Sequence, residues 1–147
     1  MTVKEYLSQA KFLDQRINSK IQQVAALNDL ATKATSTLTG MPHNPNHATS
    51  TMEETITKII DLQAEINRDI DRLVDLKKEL FSTIKAVGDT EFQTILEKRY
   101  LCFQSWEKIS VEMGYDLRWL YRLHGKALVQ PAADGPACVF HHVIIHL

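Results

Sequence analysis

The chain has 147 residues, 17 basic and 18 acidic, for a formal charge of −1. That balance excludes a general polycation, and the length bounds the chain to one or two small domains. Hydrophobic residues at 44% and charged ones at 24% exclude wholesale disorder, and five glycines with four prolines are too few for many short strands. The fold class expected is all-α.

Residues 1–16 place charge in every turn, unlike a signal peptide, and no run approaches the roughly 18 apolar residues of a membrane span. Cys102 and Cys138 lack a CxxC spacing, which predicts reduced thiols in a cytoplasmic protein that keeps clear of membranes. Thr2-Val3-Lys4-Glu5 forms a capping box at the start of the first helix. Apolar residues then recur at steps of three or four: Val3, Tyr6, Ala10, Leu13, Ile17, Ile21, Val24, Leu27, Ala31, Ala34 and Leu38. With no Gly or Pro before Gly40, this stripe predicts a helix over about 3–38, fraying through its threonine-rich end.

Residues 40–50, GMPHNPNHATS, turn the chain, and Ser50/Glu53 and Thr51/Glu54 form overlapping capping boxes for a helix over 51–87. Met52, Ile56, Ile59, Gln63, Ile66, Ile70, Leu73, Lys77, Leu80, Ile84 and Val87 step four-three throughout, a coiled-coil-like seam. Gly88 follows where a helix often needs a left-handed residue to stop. Two long helices of similar length with a short connection predict an antiparallel hairpin over 1–88. Ile60, Leu62, Val74 and Leu76 remain as a second strip, to meet the C-terminal module, another copy of the chain or a partner helix.

After Gly88 three short helices are expected in a module over 89–130. Asp89 caps Thr90–Tyr100, whose inner face is Phe92, Ile95 and Leu96, with Tyr100 at its edge; Ser105 caps Trp106–Met113; Gly114 and Asp116 precede Leu117–Val129. The last two helices carry helix-turn-helix spacing. Ser110 is the small residue where the helices cross, Gly114 takes the turn, and Ile109, Met113, Tyr115, Leu120 and Leu123 form the buried set. Arg118, Arg122 and Lys126 stand four apart, within about 80° on a helical wheel, and no acid lies between Asp116 and Asp134. Trp119 flanks them. One anchored face and one offering guanidinium forks is the arrangement of a recognition helix in a major groove.

The residues LEKRYLCFQSWEKISVEMGYDLRWLYRLHGKAL, 96–128, resemble region four of bacterial RNA polymerase sigma factors. They are more similar to a family of small Gram-positive prophage proteins carrying a sigma-like helix-turn-helix, through RYL at 99–101, SWEKIS at 105–110, MGY at 113–115 and LYRLHGKAL at 120–128. KEYLSQAKFLDQRI at 4–17 resembles the opening of that family's helical N-terminal half, so the likeness spans residues 1 to about 130. Some members are regarded as late-gene transcriptional regulators. The resemblance implies DNA contact by Arg118, Trp119 and Arg122; Tyr121 and His124 also match, and Tyr121 is expected to pack toward the buried face. The sequence departs from the family at Asp116, often serine there. As an N-cap it favours the helix, but its charge would stand near phosphate.

The expected function is therefore a DNA-binding transcriptional regulator of prophage type, reading promoter DNA with helix 117–129. The DNA-binding residues are Arg118, Trp119, Arg122 and Lys126, and the hairpin serves homodimerisation or contact with RNA polymerase. The alternative is an interaction module that docks on polymerase or another protein without touching DNA. Nothing points to an enzyme, cofactor or metal: His141, His142 and His146 lack zinc-spaced partners, His43 and His47 lie in a loop, and no phosphate-binding glycine loop or nucleophile elbow occurs. Residues 131–147 form an atypical, flexible tail whose VFHHVIIHL run is either a strand-like extension or a product of gene decay.

Overall fold

The computed structural model describes residues 1–37, 45–130 and 140, with the backbone alone at 34–37 and 45–49. The fold is all-α. Helix α1 spans Val3–Thr37, α2 Pro45–Lys85, α3 Thr90–Leu96, α4 Trp106–Met113 and α5 Leu117–Leu128, and a π-helical turn over Glu97–Leu101 continues α3. No helix among the described residues is long and apolar enough to cross a membrane. Residues 38–44, with His43, and 131–147, with Cys138, His141, His142 and His146, lie outside the described residues except for Phe140.

The capping box at the start of α1 forms as its spacing predicts. Thr2 N–H donates to Glu5 Oε2 at 2.6 Å and Glu5 N–H to Thr2 Oγ1 at 3.2 Å. Helix α2 begins at Pro45, earlier than residue 51, because proline suits a first helical position where no N–H is needed. The two capping boxes at 50–54 therefore fall inside the helix, where Thr55 Oγ1 donates back to the Thr51 carbonyl instead.

The other end of α2 also departs from expectation. Gly88 does not adopt the left-handed conformation. The helix stops at Lys85, the Val87 N–H closes a tighter turn onto the Ile84 carbonyl at 3.0 Å, and the Gln93 amide donates to the carbonyls of Lys85 and Val87. A side chain eight residues downstream thus satisfies carbonyls that a left-handed glycine would otherwise have served.

Two compact units are distinguished, Met1–Phe12 with Leu73–Leu147, and Leu13–Arg72. In the first, Tyr6, Leu7 and Ala10 of α1 are buried with Leu80 and Ile84 of α2, Leu96, Tyr100, Ala127, Leu128 and Phe140. The Tyr6 hydroxyl donates to Glu79 Oε1 at 2.8 Å, and burial pushes its phenol up to about 12. A second cluster in this unit joins Ile95, Ile109, Leu120 and Leu123, with Trp106, Met113 and Tyr115 packed against it. In the other unit Ile17, Ile59 and Ile66 are buried, and Lys20 Nζ lies 2.6 Å from Asp69 and 3.1 Å from Glu65.

The α2 seam is only half covered. Positions 59, 66, 80, 84 and 87 turn inward, whereas Ile56 and Ile70 keep 43% and 40% of their surface exposed. Those two residues leave an uncovered apolar row on α2.

Between α4 and α5 the chain needs three residues. Gly114 adopts φ 68°, ψ 30°, and its N–H and that of Tyr115 both close on the Ser110 carbonyl, while Ser110 Oγ donates to the Tyr115 carbonyl. A Cβ at position 114 would meet nothing within 4 Å, so strain there is purely torsional. Gly114→Ala is expected to destabilise the protein by about 1 kcal/mol and Gly114→Asn by less, measured by urea unfolding. Equal stability of the alanine variant and the wild type would contradict the assignment.

Candidate nucleic-acid interface

Local chemistry fixes each helix of the 90–128 segment before packing does. Asp89 Oδ1 accepts from the N–H groups of Glu91 and Phe92, and Ser105 Oγ from that of Lys108. The Tyr115 hydroxyl donates to Glu91 Oε1, fastening the α4–α5 turn to the first turn of α3. Accepting this bond, Glu91 holds the Tyr115 phenol above its ordinary value.

Two features of this segment differ from expectation. The helix predicted to run to Tyr100 changes at Glu97, where the Cys102 N–H bonds the Glu97 carbonyl five residues back. Asp116 stands at the N-cap of α5, and its carbonyl accepts the first helical bond from Leu120 N–H at 2.9 Å. Its carboxylate makes no cap bond.

Helix α5 is sharply two-sided. Leu120, Leu123, His124, Ala127 and Leu128 are buried. Arg118, Trp119, Tyr121, Arg122, Gly125 and Lys126 are exposed. At 100° per residue these six occupy an arc of about 160°, with Arg118 and Arg122 near its centre. Neither arginine makes an ion pair among the described residues. The four residues predicted from sequence, Arg118, Trp119, Arg122 and Lys126, thus share one surface. Lys126 Nζ lies 5.6 Å from the Trp119 ring centroid, a cation–π contact that orders the tryptophan across the edge of the arc.

Tyr121 does not pack inward as expected. Its ring is 49% exposed and meets Trp106 edge-on at 5.4 Å, because on the wheel it borders the outward arc rather than the core. Gly125 escaped the sequence reading, although glycine inside a helix is itself a signal. It lies on the arc one turn from Arg122, and a Cβ there would meet nothing within 4 Å, so no internal packing requires it.

His124, the other matched position, is buried. Its Nε2 shares a hydrogen bond with the Tyr100 hydroxyl at 2.8 Å, and its ring lies 4.7 Å from that of Trp106. Burial first, and then the charges of Lys4 and Arg99, lower its pKa from 6.5 to about 4. The unfolded chain takes up a proton between those values that the folded chain refuses. Stability is therefore full above about 6.5 and is lost as the pH falls toward 4. The unfolding free energy is expected to drop by up to roughly 3 kcal/mol across that window beyond the carboxylate contribution. His124→Gln should flatten the difference in a urea series; an unchanged slope would show that His124 is not the titrating group.

Comparisons with protein-family models, with curated proteins and with solved structures returned no match.

Proposed function

We propose that the protein binds double-stranded DNA through the exposed arc of α5, as a transcriptional regulator of the prophage kind that its sequence resembles. The observation that carries this reading is the arc itself: two guanidinium groups without an ion pair among the described residues, a Trp119–Lys126 contact and no acid, on a helix whose other side is locked into the core. Arg118 and Arg122 would offer paired donors to base edges or phosphates, and Lys126 a point charge. Gly125 supports the reading, since a bare backbone beside the arginines lets a partner approach closely. With a chain near neutrality, one arc supplies few phosphate contacts, so binding by a single copy is weak.

Direct contact is tested by fluorescence anisotropy on a mixed-sequence duplex over a salt series. Arg118→Ala with Arg122→Ala should weaken binding by about tenfold or more and lower the salt slope by about 2, with helicity unchanged. Gly125→Ala should raise stability by about 0.5–1 kcal/mol yet weaken binding, a divergence that an ordinary solvated face would not produce. Unchanged DNA affinity in the arginine variant would sink the proposal.

A second reading is favoured by the uncovered row on α2. Ile56, Ile60 and Ile70 are exposed together, the surface a second copy of the chain or RNA polymerase would cover. In this reading the protein is an interaction module that docks without touching DNA. Retention of polymerase by the immobilised protein, with no duplex bound at low salt, would select it. A concentration-dependent dimer in sedimentation, lost in Ile56→Glu with Ile60→Glu, would instead make the row a homodimer surface that doubles the DNA contacts.

A further inference from the structure

Beside the Tyr100–His124 pair the first unit has a recess of 250 Å³, formed where the first turns of α1 meet the π-helical turn, α4 and α5. Lys4, Ser8 and Lys11 come from α1, Arg99 from the π-helical turn, Trp106 from α4 and Tyr121 from α5. Three cations line this recess and no carboxylate does. Lys4 and Lys11 make no ion pair among the described residues. Side chains that need only to be solvated have no reason to converge on one hollow, where their mutual repulsion opposes the fold.

Arg99 is held in place by its neighbours. Its guanidinium lies 4.7 Å over the Trp106 ring, and Nη1 donates to the Gln104 carbonyl at 3.0 Å, which fixes the plane and leaves further N–H groups uncommitted. Trp106 and Tyr121 meet at 68°, giving the recess an aromatic wall beside its charged one. Burial is the main cause of the lowered His124 pKa, and the charges of Lys4 and Arg99 add to it from this side. The volume falls just under the range of about 300–1,000 Å³ typical of drug-sized ligands.

We propose that the recess binds a small aromatic oxyanion, an aryl phosphate or aryl carboxylate, with its ring against Trp106 and Tyr121 and its charge toward Lys4, Lys11 and Arg99. None of these cations belongs to the α5 arc, although Tyr121 borders both surfaces. A protein that reads DNA on one face and a small anion on another would have its affinity for the first set by the second.

Phenyl phosphate is the probe. The chain has two tryptophans, so Trp119→Phe leaves Trp106, already in the recess wall, as the sole tryptophan, and red-edge excitation reads it without the tyrosines. Phenyl phosphate should change its emission saturably, and inorganic phosphate should compete more weakly. Lys4→Gln with Lys11→Gln should raise the Kd about tenfold or more while circular dichroism stays unchanged. If the double variant does not fold, Lys11→Gln alone should raise the Kd in the same direction. Saturation absent up to about 10 mM, equal affinity in the folded lysine variants, or equal affinity for uncharged phenol would each overturn the proposal. Displacement of phenyl phosphate by duplex DNA that itself requires Lys4 and Lys11 would also overturn it, assigning the recess to the nucleic-acid backbone.

Discussion

Burial of one side of α5 is the constraint on which the first unit depends. Leu120 and Leu123 enter one cluster, with Ile95 and Ile109, while Ala127 and Leu128 enter the other, with Tyr6, Leu7 and Leu80. Twelve residues thus join two cores, and the helix can neither rotate nor slide without opening both. Burying a leucine fully is worth roughly 1.5–3 kcal/mol, more than the roughly 0.5–1 kcal/mol cost of glycine within a helix. The core thus does not need the outward residues to hold α5 in place, and Gly125 can persist among them.

The same rigidity explains the polar core. A buried histidine is tolerable only when neutral and bonded, and Tyr100 supplies the partner from the π-helical turn. The wider turn at 97–101 therefore matters to α5 even though it lies on another element. Arg99 and Tyr100 leave it adjacent in sequence but divided in role: the tyrosine goes to the core, and the arginine to the Trp106 face.

Much of this was legible in the sequence because it is local. Capping at Thr2, Asp89 and Ser105, the left-handed turn at Gly114 and the inward set Ile109, Leu120 and Leu123 all follow from spacing and side-chain type. What was not legible depends on partners distant in the chain. Gly88 gave way to Gln93, whose reach to two carboxy-terminal carbonyls no helical periodicity records. Helical spacing marked Tyr6 and Ala10 as inward, but it says which side is apolar and not what that side meets. The convergence of Lys4 and Lys11 with Arg99 was hidden for the same reason, lying some 90 residues apart in a chain read one element at a time.

The membership of Tyr6, Leu7 and Ala10 in a core completed by Ala127 and Leu128 also orders events during synthesis. At roughly 5–20 residues per second, the first turns of α1 wait several seconds or more for the segments they pack on. Leu80 and Ile84 of α2 can cover part of their apolar side in the meantime, and the capping box at Thr2–Glu5, with the Tyr6 N–H bonded to the Thr2 carbonyl, favours the helix locally. The core around Tyr6, Leu7 and Ala10 is thus completed only once α5 is present to contribute Ala127 and Leu128.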